Sequence, residues 1–313
     1  MESSESLQSL ADAVIDQGGF WTTLGWGATI SMKKYARTPF DRYMNSIGSR
    51  VNRDADFVAR VSVDFSAVHK ARAELNPPDA DVSLAAILIK AASISLSAYP
   101  LMRQVPGNRS YWIPEIVRIA VPVDSALSDA YAVPVVFENA HEKSLTELTT
   151  DLRLRGDAIR NGEIGPFAFL KRIPSWVPVE LLGLAVAVAA RLSPTTNAMT
   201  FCIPVLTIVP ALDEFHLARI SGGPVISIGD VHRGANSRSR SYGDAIKSLG
   251  TVTCSVDHRV CNGRYAGQFL NRFREALERE LVDELVTLSF PTMGKRTTLP
   301  HCQTSTVDPG SAC

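Results

Sequence analysis

Close to its C-terminal end the chain reads TVTCSVDHRVCNGRYAGQFL, where His258 and Arg259 are followed by Asn262, Gly263 and a run with helical apolar spacing. Imidazole is the side chain whose ordinary titration lies nearest neutral pH, so it suits a general base that takes a proton from a thiol or hydroxyl. Val252, Cys254, Val256 and His258 share a parity, so a strand through them delivers the histidine on the same face as three apolar side chains. Gly263 is expected to permit the tight turn from that strand into a helix. These residues alone leave two readings open: a catalytic base at a strand end, and a histidine held by a structural hydrogen bond.

The elements that must position this loop are written in the apolar periodicity. FVARVSVD alternates at Phe57, Ala59, Val61 and Val63, the pattern of a half-buried strand. DVSLAAILIKAASISLSAYP places Leu84, Leu88, Ala91 and Ser95 on one helical stripe and stops at Pro100. IVRIAVPVD and YAVPVVFE read as strands whose Pro122 and Pro134 belong at edges or bulges, joined by a turn at Ser128 and Asp129. SLTELTTDLRLRGDAIRNG opens with Ser144 and Glu147 in capping-box spacing, repeats Leu145, Leu148, Leu152 and Ile159, and ends at Gly162. AMTFCIPVLTIV, PVISIGDVH and TVTCSVDH read as three more strands. A last helix runs from about Arg264 to Val286 with Ala266, Phe269, Leu270, Phe273, Leu277 and Leu281 on its stripe. Strands and helices alternate without an internal repeat, which predicts one mixed α/β domain of layered type.

Composition narrows the class. The 313 residues carry 32 basic and 32 acidic side chains, a balance that gives no electrostatic reason for nucleic-acid binding. The one local basic run, HRGANSRSRSYG, is rich in Gly, Ser and Asn and reads as a solvated turn. Cys202, Cys254, Cys261, Cys302 and Cys313 are odd in number and lack metal-ligand or redox spacing, so no metal site and a reducing, cytoplasmic setting are expected. MESSESLQSLADAVID has acids where a secretion signal needs bases, and no apolar run reaches the ~20 residues of a membrane span. VPVELLGLAVAVAARL, from Val177, is expected to be a buried helix or the wall of an apolar ligand pocket.

SVDHRVCNGRYAGQFLNRFREALE resembles the signature DHRxxDGxxAAxFLxxLxxxLE of the catalytic domain of 2-oxoacid dehydrogenase acyltransferases, the superfamily that includes chloramphenicol acetyltransferase with its HxxxDG loop. AVPVVFENAHEKSLTELTTDLRLRGDAIRNGEI, LAAILIKAASISLSAYPLMR and TFCIPVLTIVPALDEFHLARISGGPVISIGDV resemble further stretches of that family, in its order, so that the resemblance spans roughly Phe40 to Glu284. The resemblance implies a two-layer α/β sandwich with a mixed sheet, assembled as a homotrimer with the active site between subunits. It implies His258 as general base and a serine hydroxyl holding the tetrahedral oxyanion of acyl transfer. Asn262 stands where the signature has aspartate, and Pro204 stands at the expected serine. Proline brings neither hydroxyl nor N–H, so Thr207, Cys202 or Thr200 would have to supply a donor, and Cys202 as nucleophile competes with Cys202 as an inert core residue.

The expected layout is an N-terminal extension over 1–35, a catalytic domain over 36–288 with an insertion at about 165–199, and a tail over 289–313. The insertion, which contains Trp176, is expected to line an apolar substrate pocket or to pack outside or against a neighbouring subunit. There is no room for the lipoyl and subunit-binding domains that the dehydrogenase-complex proteins carry. The expected function is therefore a stand-alone transfer of an acyl group from acyl-CoA or a carrier thioester to a small molecule, with no bound cofactor. Two alternatives remain: a repurposed site in which His258 drives condensation, cyclisation or rearrangement in specialised-metabolite biosynthesis, and a non-catalytic trimeric binding protein.

Overall fold

The structure, a computed structural model, describes residues 30–43, 56–75, 81–107, 109–125, 128–161, 179–194, 197–198, 202–209, 212, 215, 217, 222–234 and 247–289. In chain order its elements are β1 (Met32–Ala36), β2 (Asp56–Asp64), α1 (Ser66–Ala73), α2 (Leu84–Ala98), β3 (Val105–Pro106), β4 (Ser110–Pro114), β5 (Arg118–Ser125), β6 (Ser128–Glu138), α3 (Leu145–Arg160), α4 (Val179–Leu192), β7 (Val205–Ile208), β8 (Val225–Gly234), β9 (Lys247–Asp257), α5 (Gly263–Glu275) and α6 (Leu281–Ser289), with a π-turn, Ala276–Glu280, joining the last two. The expected mixed α/β fold is present: a six-stranded sheet in the order β2-β9-β8-β7-β5-β6, parallel at β5-β7 and β7-β8 and antiparallel elsewhere. A second sheet has the order β1-β4-β3. β1 starts at Met32, so the end of the segment read as an extension is a strand of this small sheet.

Apolar spacing built the helical layer as read. Phe57, Ala59, Val61 and Val63 of β2 turn toward the core while the residues between them are exposed. α2 buries Ile87, Leu88, Ile89, Ala91 and Leu96, and the stripe of α5 buries Ala266, Phe269, Leu270 and Phe273. The capping box forms at α3: the Ser144 hydroxyl accepts from the Glu147 N–H at 3.2 Å while the Ser144 N–H donates to the Glu147 carboxylate at 2.8 Å. Glu284 of α6 ties three helices together, accepting from Lys90 Nζ at 2.8 Å and from the Leu145 N–H at 3.2 Å.

Three expectations change. Ser128 and Asp129 are not a turn but the start of β6, since Ser128 pairs with Ser125; the two-residue connection at 126–127 lies outside the described residues. The strand expected across AMTFCIPVLTIV shrinks to Val205–Ile208, because Pro204 cannot donate to a ladder. α4 is not a buried helix: Leu184, Val188 and Leu192 are 61%, 45% and 79% exposed. Pro122 and Pro134 meet the expectation differently, as direct partners on the β5-β6 edge just before a register shift between Val123 and Ser125.

Candidate active site

β9 ends at Asp257, and the next residue, His258, is exposed at the mouth of the turn leading to α5. The parity expected to orient it does not discriminate, because every residue from Val252 to Asp257 is buried: both faces of this central strand are covered. The apolar neighbour His258 does have is Phe57, which pairs with Val256 across β2 and β9 and meets the imidazole edge-on at 5.4 Å between centroids.

Local hydrogen bonds fix the loop around the histidine. Asp257, 4% exposed, takes the Arg259 guanidinium in a fork, with Nε at 2.9 and 3.0 Å from its two oxygens and Nη2 at 2.6 Å, and it also accepts the Arg259 N–H at 2.8 Å. A carboxylate that buried needs such pairing to remain charged. The Val260 N–H closes the turn on the Asp257 carbonyl at 2.8 Å. Asn262 is the N-cap of α5: its side-chain oxygen accepts from the Tyr265 N–H at 3.0 Å. Asparagine and aspartate cap helices about equally well, so the amide in place of the signature's carboxylate keeps the role observed here.

Gly263 is not the hinge that its position suggested. It is the first residue of α5, and a Cβ there would meet nothing within 4 Å. The glycine that the geometry requires is Gly223, where a Cβ would stand 2.5 Å from the Ile203 carbonyl oxygen; its absence lets the chain entering β8 approach the chain entering β7.

The other expected residues lie on β7 or before it. Pro204 is buried, and its carbonyl accepts the Ala120 N–H at 2.8 Å. Cys202 is buried beside Val105 and Ala198, with Sγ 3.4 Å from the Asn197 amide oxygen, the surroundings of a structural thiol. Thr207 pairs with Ser227, which pairs with Thr253 of β9. His258 is thus five residues along and two strands across from Thr207, on the order of 19 Å at about 3.3 Å per residue and 4.8 Å per strand. One chain does not bring Thr207 to His258. Trp176 and Thr200 lie outside the described residues.

Two features were missed by sequence reasoning. Arg37, just beyond β1, stacks its guanidinium 5.5 Å over Tyr111 and donates Nε to the Gly107 carbonyl at 3.1 Å. Burial lowers its pKa, opposed by Asp41, Tyr111 and Asp257 and reinforced by Arg259, so it feels the charges of the histidine loop. No local pattern in KYARTPF signals this, since the contact depends on the second sheet. The other is a set of hydroxyls on the side of the sheet away from the helices: Thr253 and Ser255 donate to the carbonyls of Phe215 and Leu217 at 2.9 and 3.0 Å, and Ser227 accepts the Leu217 N–H at 3.2 Å. Ser and Thr alternating with Val and Ile in VISI and TVTCSV was the available signal. Cys261, within the histidine loop, has its thiol pKa pushed up to about 12 by burial and is unreactive there. Among the described residues no group of three or more His, Cys, Asp or Glu could hold a metal ion, and no helix is long and apolar enough to cross a membrane.

Residues 32–169 match the family model described as 2-oxoacid dehydrogenases acyltransferase (catalytic domain). The fold is the one seen in solved dihydrolipoamide acetyltransferase and chloramphenicol acetyltransferase structures. A probable dihydrolipoamide acetyltransferase from Listeria monocytogenes is similar over 79% of this chain and 94% of its own, at 14% identity and a TM-score of 0.53. The dihydrolipoamide acetyltransferase of Azotobacter vinelandii, described with a serine, a histidine and an asparagine in its catalytic mechanism, is similar over 79% of this chain and 92% of its own, at 15% identity and a TM-score of 0.53. A chloramphenicol acetyltransferase is similar over 78% of this chain and 100% of its own, at 14% identity and a TM-score of 0.50. No curated protein sequence matches the chain. The matched segment covers less than half of the chain, and at these identities the solved structures show a shared fold.

Proposed function

We propose that the protein transfers an acyl group from a coenzyme A or carrier thioester to a small-molecule acceptor, with His258 as general base. His258 takes the proton of the acceptor's thiol or hydroxyl as the oxygen or sulfur attacks the thioester carbonyl; the tetrahedral intermediate collapses, the C–S bond breaks, and the imidazolium returns the proton to the leaving thiolate. The observation that carries this reading is the exposed His258 on a loop held rigid by the Asp257–Arg259 fork and the Asn262 cap. Such a base must be presented to substrate without itself being free to wander.

The Azotobacter protein supports the asparagine, because the histidine and asparagine named in its mechanism are four positions apart, as His258 and Asn262 are. Its serine stands fifty-two positions before its histidine; the same spacing here falls on Leu206, between Val205 and Thr207. Neither Leu206 nor Pro204 offers a hydroxyl, and Thr207 is too far from His258 of its own chain. The oxyanion donor would then come from a neighbouring copy in a homotrimer with the site between subunits. The solved relatives include the cubic core of a pyruvate dehydrogenase complex, an assembled oligomer.

The vacancy at Pro204 favours a second reading, in which His258 abstracts a proton to promote condensation, cyclisation or rearrangement of an apolar metabolite. Acyl-CoA donors and acceptors are offered to the protein and to His258→Ala while free thiol is followed. Thiol release that falls about 10²–10⁴-fold in the variant supports acyl transfer. Release in neither protein, with metabolite conversion lost in His258→Ala, transfers the role to the second reading. Equal behaviour in every assay leaves a binding protein.

A further inference from the structure

We propose that α4 is a self-association surface on which a second copy of this chain packs its own α4 antiparallel. The helix VELLGLAVAVAARL carries one acid, at position 180 near its start, and one base, Arg191, near its end. Leu184, Val188 and Leu192 recur every four residues along one side and are all exposed, whereas Ala190, on another side, is buried. None of the described helices or strands packs along α4. Other exposed apolar side chains, such as Phe40, Val58 and Leu154, lie on other elements, whereas α4 lines up three of them on one side, the pattern of an interface.

The sequence of the stripe identifies the occupant. When two copies run antiparallel about a two-fold axis midway between positions 185 and 186, Gly183 lies opposite Val188 and Leu184 opposite Ala187. Val188 then meets a glycine and Leu184 an alanine, while Leu192, at the end of the contact, meets the valine at position 179. Gly183 is exposed, and the place of its missing Cβ is empty to 4 Å, so there is room for the partner's Val188. The same register sets position 180 of each copy opposite the partner's Arg191, giving two opposite-charge pairings, while the helix dipoles also run counter to each other. A parallel pairing does the reverse, setting valine on valine, acid on acid and base on base. A two-fold contact must be self-complementary, and only the antiparallel register is.

Fourteen residues make a helix about 21 Å long and about 10 Å wide, too little surface to reach the about 1,200 Å² of a stable interface. The pairing is therefore weak on its own and doubles whatever assembly the rest of the molecule forms, as a function of concentration.

Sedimentation velocity over a wide concentration range tests it. The wild-type protein is expected to pass from its smallest unit to twice that mass. Val188→Glu and Leu184→Glu, both at exposed positions and checked for native circular dichroism, are expected to abolish the doubling, while Leu154→Glu on the exposed face of α3 leaves it unchanged. Glu180→Arg is expected to weaken it about five- to tenfold and Glu180→Arg/Arg191→Glu to restore it. A doubling that survives Val188→Glu, or that the double charge exchange fails to restore, overturns the antiparallel pairing. A wild-type mass constant over the whole range overturns it too, and flotation with phosphatidylglycerol vesicles that Val188→Glu removes would then assign the face to a lipid surface.

Discussion

The loop leaving β9 and the chain entering β7 lie at the same end of one sheet, since Val205, Val225 and Ser255 form a row and both segments run on from it in the same direction. They are held in opposite ways. Around His258 the bonds are local: Arg259 to Asp257 two residues away, Tyr265 to Asn262 three away. Around Pro204 they are distant: its carbonyl holds Ala120, the Val205 N–H holds the Pro224 carbonyl at 3.0 Å, and Gly223 makes room for Ile203. The histidine loop thus depends on a few neighbours in sequence, and the chain at Pro204 on the whole sheet.

The largest effect is expected where the local end is cut. Arg259→Ala strips a buried carboxylate of its fork and should cost about 3 kcal/mol in urea unfolding, with loss of any His258-dependent activity. Arg259→Lys should recover part of it, because an ammonium cannot reproduce two parallel bonds. At the distant end, Gly223→Ala forces a methyl against the Ile203 carbonyl and should cost about 1–3 kcal/mol, while His258-dependent steps that need no β7 donor change little. An activity loss as deep as that of His258→Ala would show that the two ends act as one. Asn262→Ala should cost about 1 kcal/mol and Asn262→Asp almost nothing, read as shifts in thermal midpoint; a costly aspartate would mean that the amide does more than cap. Gly263→Ala should be tolerated or stabilise by roughly 0.4–1 kcal/mol, because the space is open and the unfolded chain loses freedom. A destabilised Gly263→Ala would restore the hinge role its place in the motif suggested.

This contrast also sets what could be read from the sequence. The alternation in β2, the stripe of α5 and the Ser144–Glu147 box were legible because each depends on residues a few positions apart. The same holds for the histidine loop, including its asparagine cap. The extent of β7 was not legible, since four residues of strand are defined by partners 85 and 20 positions away, Ala120 and Val225. Parity failed on β9 because a strand covered on both faces buries every residue, whatever its alternation. The exposure of α4 was hidden for a related reason: apolar composition says that a helix will be covered, but not whether its own chain does the covering.

The facing prolines of β5 and β6 bear on how copies of this molecule can meet. Pro122 and Pro134 are direct partners, and neither has an N–H, so no ladder bond forms between them. Opposed residues of that kind point their amide positions outward, and at Pro134 the outward side is the open margin of the six-stranded sheet. A strand arriving there finds a missing donor in the middle of its docking line. Among the described residues β6 is thus a margin whose proline interrupts, at one point, the backbone template an incoming strand would use.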